Sequence, residues 1–508
     1  MKRFLARAGA KTGRFFWSWG FLKFVLWTVT LIVLFYVEED WRGARAWAAT
    51  KAGWEAKGES FDYIRFNPPA VSDAQNLAAL PIFKVDSDSQ QPKALIKAMR
   101  GSPIDNYPKI GNSLGGEAPD MNHIQVAMLK DYSAAFPGTV APRNPLAQFE
   151  ALYPMIADLR AASATRPLCR FDAGYSVYPP ESRALSLIVD QLKLARLVTI
   201  HALLTLHQNQ SDLALADLKL NYQLASGAER DPSLVGGLVA NGIEAMSGNA
   251  LVEGLALHSW NDAQLTEIQK CLGRFDLLRN FQFYMRNEAA DVGPNYDFFK
   301  NNRQLSLANW PSAEGVSGIK LLVLKLSLLW PSGWVDDNKG PVVDSLLKSL
   351  AIFAPEERRV FPAVARDLDL KLERRMAELA TWAPWNFISV DAGMAVEGPA
   401  QGFARNQVIV LDEARIACAL ERYRLAHGGY PDSLDALSPG CIDELPHDIM
   451  SGVSYRYQLR SDGTYLLYSV GWNQADDGGK VVYKNDASGQ IDYSKGDWVW
   501  PMPERRGP

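Results

Sequence analysis

The chain has 508 residues, 47% hydrophobic and 22% charged, with a formal net charge of −4. That length allows roughly two or three domains with cores of their own, and that balance excludes wholesale disorder. No long basic tract lies beyond the N-terminus, so nucleic acid is excluded as a partner.

Lys2, Arg3, Arg7, Lys11 and Arg14 precede the run FFWSWGFLKFVLWTVTLIVLFYV, which Glu38, Glu39 and Asp40 close. Residues 15–37 hold one charge, Lys23, and at about 1.5 Å per residue they span a hydrocarbon core of about 30 Å. Trp17, Trp19, Tyr36 and Trp41 flank the run as interfacial aromatics do. Positive charge before it and negative charge after it make residues 1–14 a cytoplasmic basic tail and put the bulk of the chain outside. No small-residue cleavage site follows, so the segment reads as a signal-anchor. The expected location is a bacterial inner membrane, crossed once, with a periplasmic body; the lipid bilayer is the partner of 15–37.

Residues 38–65 continue at helical spacing, with Trp47 and Trp54 one heptad apart, as a juxtamembrane helix that Gly58 interrupts. Residues 66–395 read as an external α-helical domain with a loop-rich start to about Pro145. SRALSLIVDQLKLARLVTIHALLTLHQ begins with one apolar stripe and becomes apolar nearly all round, so it is buried on several sides. Ser211 or Asp212 opens the next helix and Gly227 can end it. Asp231 before Pro232 reads as an N-cap with proline at the first helical position, and Asn261 with Gln264 as a capping box. Short loops between such helices imply a bundle or tetratricopeptide-like pairing. IKLLVLKLSLLW, interrupted by Lys320 and Lys325 and ended by Pro331, reads as a buried or interfacial amphipathic helix and not as a second span.

QVIVLDEARIACALERYRLAHGG is a helix in which Glu421 and Arg424 form a surface pair and Gly428-Gly429 supply the stop. Asp432 is placed to cap the short helix SLDAL. VSYRYQL alternates as a strand with one buried face, Asp462-Gly463 turns the chain, and TYLLYSVG returns as its partner. Cys418 and Cys441 fall in this region and would pair only in an oxidising compartment; two free thiols are the simpler reading.

The order LERYRLAHGGYPDSLDAL, ELPHD, YRYQLRSDGTYLLYSVG and DDGG, over Leu411 to Lys480, resembles the globular domain of the type II secretion major pseudopilin. The resemblance implies that 396–508 is a small α+β module with an antiparallel hairpin. It also implies a calcium loop after the second strand, for which Asp476, Asp477, Asp486 and Asp492 are the candidate oxygen ligands. The sequence departs from that family at the peptidase site, where Val25 stands in place of the family's Glu after Gly20-Phe21. Residues 38–395 also separate the anchor from the module. WRGARAWAATKAGWEAKGESFDY, FNPPAVSDAQN and LPIF further resemble a group of uncharacterised bacterial membrane-anchored proteins carrying this module, which implies no activity.

A reaction is not legible. GNSLG at 111–115 fits G-x-S-x-G but lacks the strand before it and the helix after it that a nucleophile elbow needs. His201 and His207 lie six apart, on different sides of a helix, and cannot share a metal as an i, i+4 pair could. The fold class expected is mainly α: a transmembrane helix, a helical domain and a small α+β module. The expected function is an extracytoplasmic scaffold or protein-binding protein, with other envelope proteins or copies of itself as partners. The alternatives are an accessory component of a secretion or pilus-like system, or a hydrolase whose site is assembled within 66–395.

Overall fold

A computed structural model of the chain describes residues 19–84, 93–99, 120–171, 185–303, 329–382, 395–484 and 490–501. The G-x-S-x-G match and most of IKLLVLKLSLLW lie outside these residues. The fold is mainly helical, with a long apolar N-terminal helix and a few small antiparallel sheets near the C-terminus. It forms two compact units: Met1–Phe61, Ala289–Ser345 and Lys371–Met394 make one; Asp62–Glu288, Leu346–Leu370 and Ala395–Pro508 make the other.

Helix α1 (Trp19–Glu55) is continuous from the apolar run through the juxtamembrane stretch. It ends before Gly58, whose φ of +94° is open to glycine and strained for other residues. Its only buried residue is Gly43. The later helices of the chain are α2 (Lys93–Met99), α3 (Met121–Ala135), α4 (Pro145–Leu152) and α5 (Met155–Thr165), then α6 (Leu185–Leu206), α7 (Ser211–Glu229), α8 (Leu234–Ala256) and α9 (Asp262–Leu272). After them come α10 (Leu277–Asn301), α11 (Ser332–Lys348), α12 (Pro362–Trp382), α13 (Glu397–Arg405), a π-helix (Asn406–Glu413) and α14 (Ala414–His427). Helices α2 and α3 lie within the stretch before Pro145. Asp120 caps α3 by accepting from His123 N–H at 3.0 Å.

In the first unit the polar half of α1 packs against α11. Asp40 accepts from Gly333 N–H at 2.7 Å, Glu39 from Trp334 Nε1 at 2.7 Å, and Asp344 from Trp54 Nε1 at 2.8 Å. These contacts climb both helices together, so the two run parallel. They approach backbone to backbone: a Cβ on Gly43 would strike the Gly333 carbonyl, and one on Gly333 would strike that of Glu39. Lys339, buried, donates to Asp297 at 2.7 Å and Asp336 at 2.6 Å, with the Trp47 ring 5.5 Å away. Lys300 reaches Asp336 at 3.1 Å; burial alone would lower that ammonium, but the two aspartates raise it.

The second unit is centred on α6, α7 and α8, which pack mutually across the connections 207–210 and 230–233. The capping box of α9 forms in full: Asn261 Oδ1 accepts from Gln264 N–H at 2.9 Å, and Gln264 Oε1 from Asn261 N–H at 3.0 Å. Two neighbouring expectations are corrected. Helix α7 runs through Gly227, which is glycine because a Cβ there would meet the Cys169 sulfur and the Phe171 ring. The cap of α8 is Ser233, accepting from Gly236 N–H at 3.1 Å, while Asp231 braces Ser233 N–H at 2.9 Å.

Strands β1 (Phe353–Ala354) and β2 (Arg359–Val360) form a small hairpin. Strands β3 (Arg456–Leu459) and β4 (Tyr465–Ser469) pair antiparallel around Asp462-Gly463, and β7 (Trp498–Val499) adds to β4. Strands β5 (Val481–Tyr483) and β6 (Ile491–Gly496) form a separate pair. The first strand is shorter than VSYRYQL: Val453 is half exposed, because Asp448 N–H bonds its carbonyl in a turn.

Candidate functional site

Three clusters of buried polar groups join elements of the second unit among the described residues. In the first, His201 of α6 lies with Nδ1 2.5 Å from Asp217 Oδ2 of α7. Arg160 of α5 donates to the other Asp217 oxygen at 3.0 Å, and the half-exposed Glu150 of α4 comes within 3.7 Å of His201 Nε2. Burial raises the Asp217 carboxyl, and His201 and Arg160 pull it back. His207 has its own partner, Glu253, at 2.8 Å, so the two histidines do not converge.

The second cluster sits on the π-helix. The chain from Glu397 to His427 is one helical run, but Asn406–Glu413 winds wide, and all eight residues of that turn are buried. Wide turns of this kind recur at functional sites. Asp412 receives Arg358 at 3.0 and 3.2 Å, Gln407 at 3.0 Å and the Tyr455 hydroxyl at 3.2 Å. Burial raises Asp412 nonetheless, with Arg358 opposing it. The next residue is treated in the opposite way. Neither Glu413 oxygen has a full hydrogen bond. Burial pushes its carboxyl well above the ordinary range, Asp448 and Asp412 add to the push, and only the Ser469 backbone opposes it. Glu413 is therefore shifted toward its protonated form. Asp448 is held by Ser469 Oγ at 2.8 Å, Ser451 Oγ at 2.9 Å and Met450 N–H at 2.9 Å.

The third cluster is built on ERYRLAHGGY. Glu421 and Arg424 pair as the spacing requires, at 2.7 and 2.9 Å, but Glu421 is buried and the pair is not a surface one. His258, just past α8, meets Glu421 at 2.8 Å, and the Tyr430 hydroxyl donates to it at 3.0 Å. Burial works to raise Glu421, but Arg424 and His258 hold it down to about 2. A folded value below the unfolded 4.5 means that its contribution to stability is complete above pH 4.5 and is lost as pH falls toward 2. Gly428, at φ +82°, stops the helix as its sequence predicts. Ser433, not Asp432, caps the next turn, accepting from Asp435 N–H at 3.2 Å.

The expected calcium ligands have protein partners. Asp476 accepts from Arg456 Nε at 3.0 Å and the Tyr468 hydroxyl at 3.0 Å, and Asp477 from Asn473 at 2.9 Å. Asp492 accepts from Ser494 Oγ at 2.5 Å and pairs with Lys495 at 3.2 Å. Asp486 lies outside the described residues. Among the described residues no three His, Cys, Asp or Glu side chains are grouped to hold a metal. The loop after β4 is organised instead by Asp497, whose carboxylate accepts the N–H groups of Asp477, Gly479 and Lys480 at 2.6 to 3.3 Å. The sequence reading missed Asp497; its signal was an acidic residue between a glycine and the first Trp of WVW. All four cysteines are free thiols, and burial raises that of Cys169 to about 12.

Each cluster joins elements distant in sequence: α5, α6 and α7; the π-helix and the β1–β2 hairpin; α14 and the end of α8. No protein-family model, curated protein or solved structure matches the chain.

Proposed function

We propose that the chain is a single-pass, membrane-anchored scaffold or protein-binding protein of the bacterial inner membrane, with its body in the periplasm. The observation that carries this reading is α1. Its apolar stretch is long enough to cross a bilayer and none of it is buried, with Leu26, Leu31 and Val37 each more than half exposed. Apolar surface of that extent left bare costs about 25 cal/mol per Å², which a lipid environment removes. Just beyond it, Glu39 and Asp40 begin hydrogen bonding to a folded unit.

Support for a scaffold comes from Asp217, Asp412 and Glu421, whose hydrogen bonds join elements distant in sequence. The mutual packing of α6, α7 and α8 favours a bundle over a tetratricopeptide-like pairing. The reading is tested in intact cells by a C-terminal reporter and by crosslinking followed by identification of attached proteins. A periplasmic signal with discrete envelope partners supports it; a cytoplasmic signal overturns it. A second reading, an accessory component of a secretion or pilus-like system, draws on the long helix that ends at Gly428 and is followed by the β3–β4 hairpin. Co-purification with a secretin would favour it.

A further inference from the structure

We infer that the corner leading into α11, Leu329 to Trp334, is a second membrane contact that rests in the headgroup layer beside the exit of α1. This inference rests on the anchored reading of α1 and adds a surface to it.

The geometry fixes the height of the corner. Val37 is the last apolar residue before Glu38, Glu39 and Asp40. The Tyr36 hydroxyl donates to the Leu329 carbonyl, and the Phe35 ring meets the Trp334 ring edge-on at 6.1 Å. Trp330 and Trp334 lie 6.0 Å apart, both half-buried. The corner therefore sits level with the end of the apolar run. Arg303 pins it there, donating to the Trp330 carbonyl at 2.6 Å and to Ser332 Oγ at 3.3 Å.

The chemistry is that of a bilayer interface. Leu329 is 67% exposed and continues the bare surface formed by Phe35 and Val37. Trp330, Trp334 and Tyr36 join an apolar ring to a polar edge, as residues of the headgroup belt do. The Trp334 indole N–H already points to Glu39, away from the apolar run. Arg42 is exposed, and Arg45 stacks over Trp41 at 5.2 Å, so cations lie one to two turns above, where lipid phosphates would be. A protein partner on Leu329 would have to occupy the level that lipid fills around the end of α1.

The test uses full-length protein in liposomes of phosphatidylethanolamine and phosphatidylglycerol, with Cys441→Ser removing the one partly exposed thiol. Nitroxide labels are placed at Leu329→Cys, at Ile32→Cys within the apolar run, and at Val140→Cys, which is 96% exposed. The expected result is that oxygen relaxes the label at 329 several-fold more than a water-soluble nickel chelate does, at a depth shallower than that at 32. A label at 329 that behaves like the one at 140, while 32 stays in lipid, overturns the corner and leaves the anchor standing. A label at 329 shielded from both reagents means a protein covers the corner, and also overturns it. A water-accessible label at 32 overturns the anchored reading itself.

Discussion

Helices α1 and α8 are both long and apolar, yet they satisfy their surfaces by opposite means. Helix α8 is enclosed by protein along almost its whole length, and only Val235, Leu238 and the terminal Ala256 are exposed. Glycines make that enclosure possible: the Tyr284 ring lies where a Cβ on Gly237 would be, and the Trp260 indole where one on Gly254 would be. The enclosed helix also carries Asn241, Glu244 and Asn249 inside, with unbonded polar atoms. Helix α1 has large side chains from Leu22 to Val37, most of them exposed among the described residues, and no acid within that stretch. Hydrophobicity alone does not decide burial. Residue size does much of it, since small residues admit a neighbouring helix and large ones on a bare face call for a fluid one.

The comparison breaks first at α1. Leu31→Lys with Ile32→Lys should each cost about 2.5–3.5 kcal/mol of insertion. The protein should leave the carbonate-resistant membrane fraction, while the urea midpoint of its folded body stays unchanged. On α8, Gly254→Leu should destabilise the body by about 1–3 kcal/mol, because the Trp260 indole has no room to retreat; urea unfolding followed by tryptophan fluorescence reads this. Glu244 sharpens the contrast. Burial holds its carboxyl well above the usual range, so the folded state keeps a proton that the unfolded state releases above about pH 4.5. Stability should therefore fall as pH rises above about 4.5, and Glu244→Gln should reduce that slope. The smallest effect belongs to Leu31→Ala, which should change the unfolding free energy in urea by less than about 0.5 kcal/mol, since that side chain is 61% exposed. A large shift there would mean that α1 is covered by protein.

The parts legible in sequence were those decided within one turn of chain. Asn261 with Gln264, Gly428, and Asp462-Gly463 each complete a local hydrogen-bonding pattern, and each forms as its spacing predicts. The parts that were not legible depended on a neighbour far away in sequence. Gly227 resembled a helix stop until the sulfur of Cys169 and the ring of Phe171 claimed its missing Cβ. Glu421 resembled half of a surface pair, but His258 and Tyr430 bring it inside. Asp231 and Asp432 were plausible caps, and in both places a nearby serine does the capping, one held in place by Asp231. The π-helix left no periodic trace, because an eight-residue widening shifts the phase of a helix without ending it. Asp497 was passed over because its three N–H donors come from a loop some twenty residues upstream.

The backbone contact between Gly43 and Gly333 leaves the rod without a swivel where it leaves the apolar run. A rod in a bilayer tilts to match the thickness around it. With α1 as the proposed anchor, its tilt would pass to the parallel helix and its lysine–aspartate cluster, and lipid thickness would become an angle imposed on folded protein.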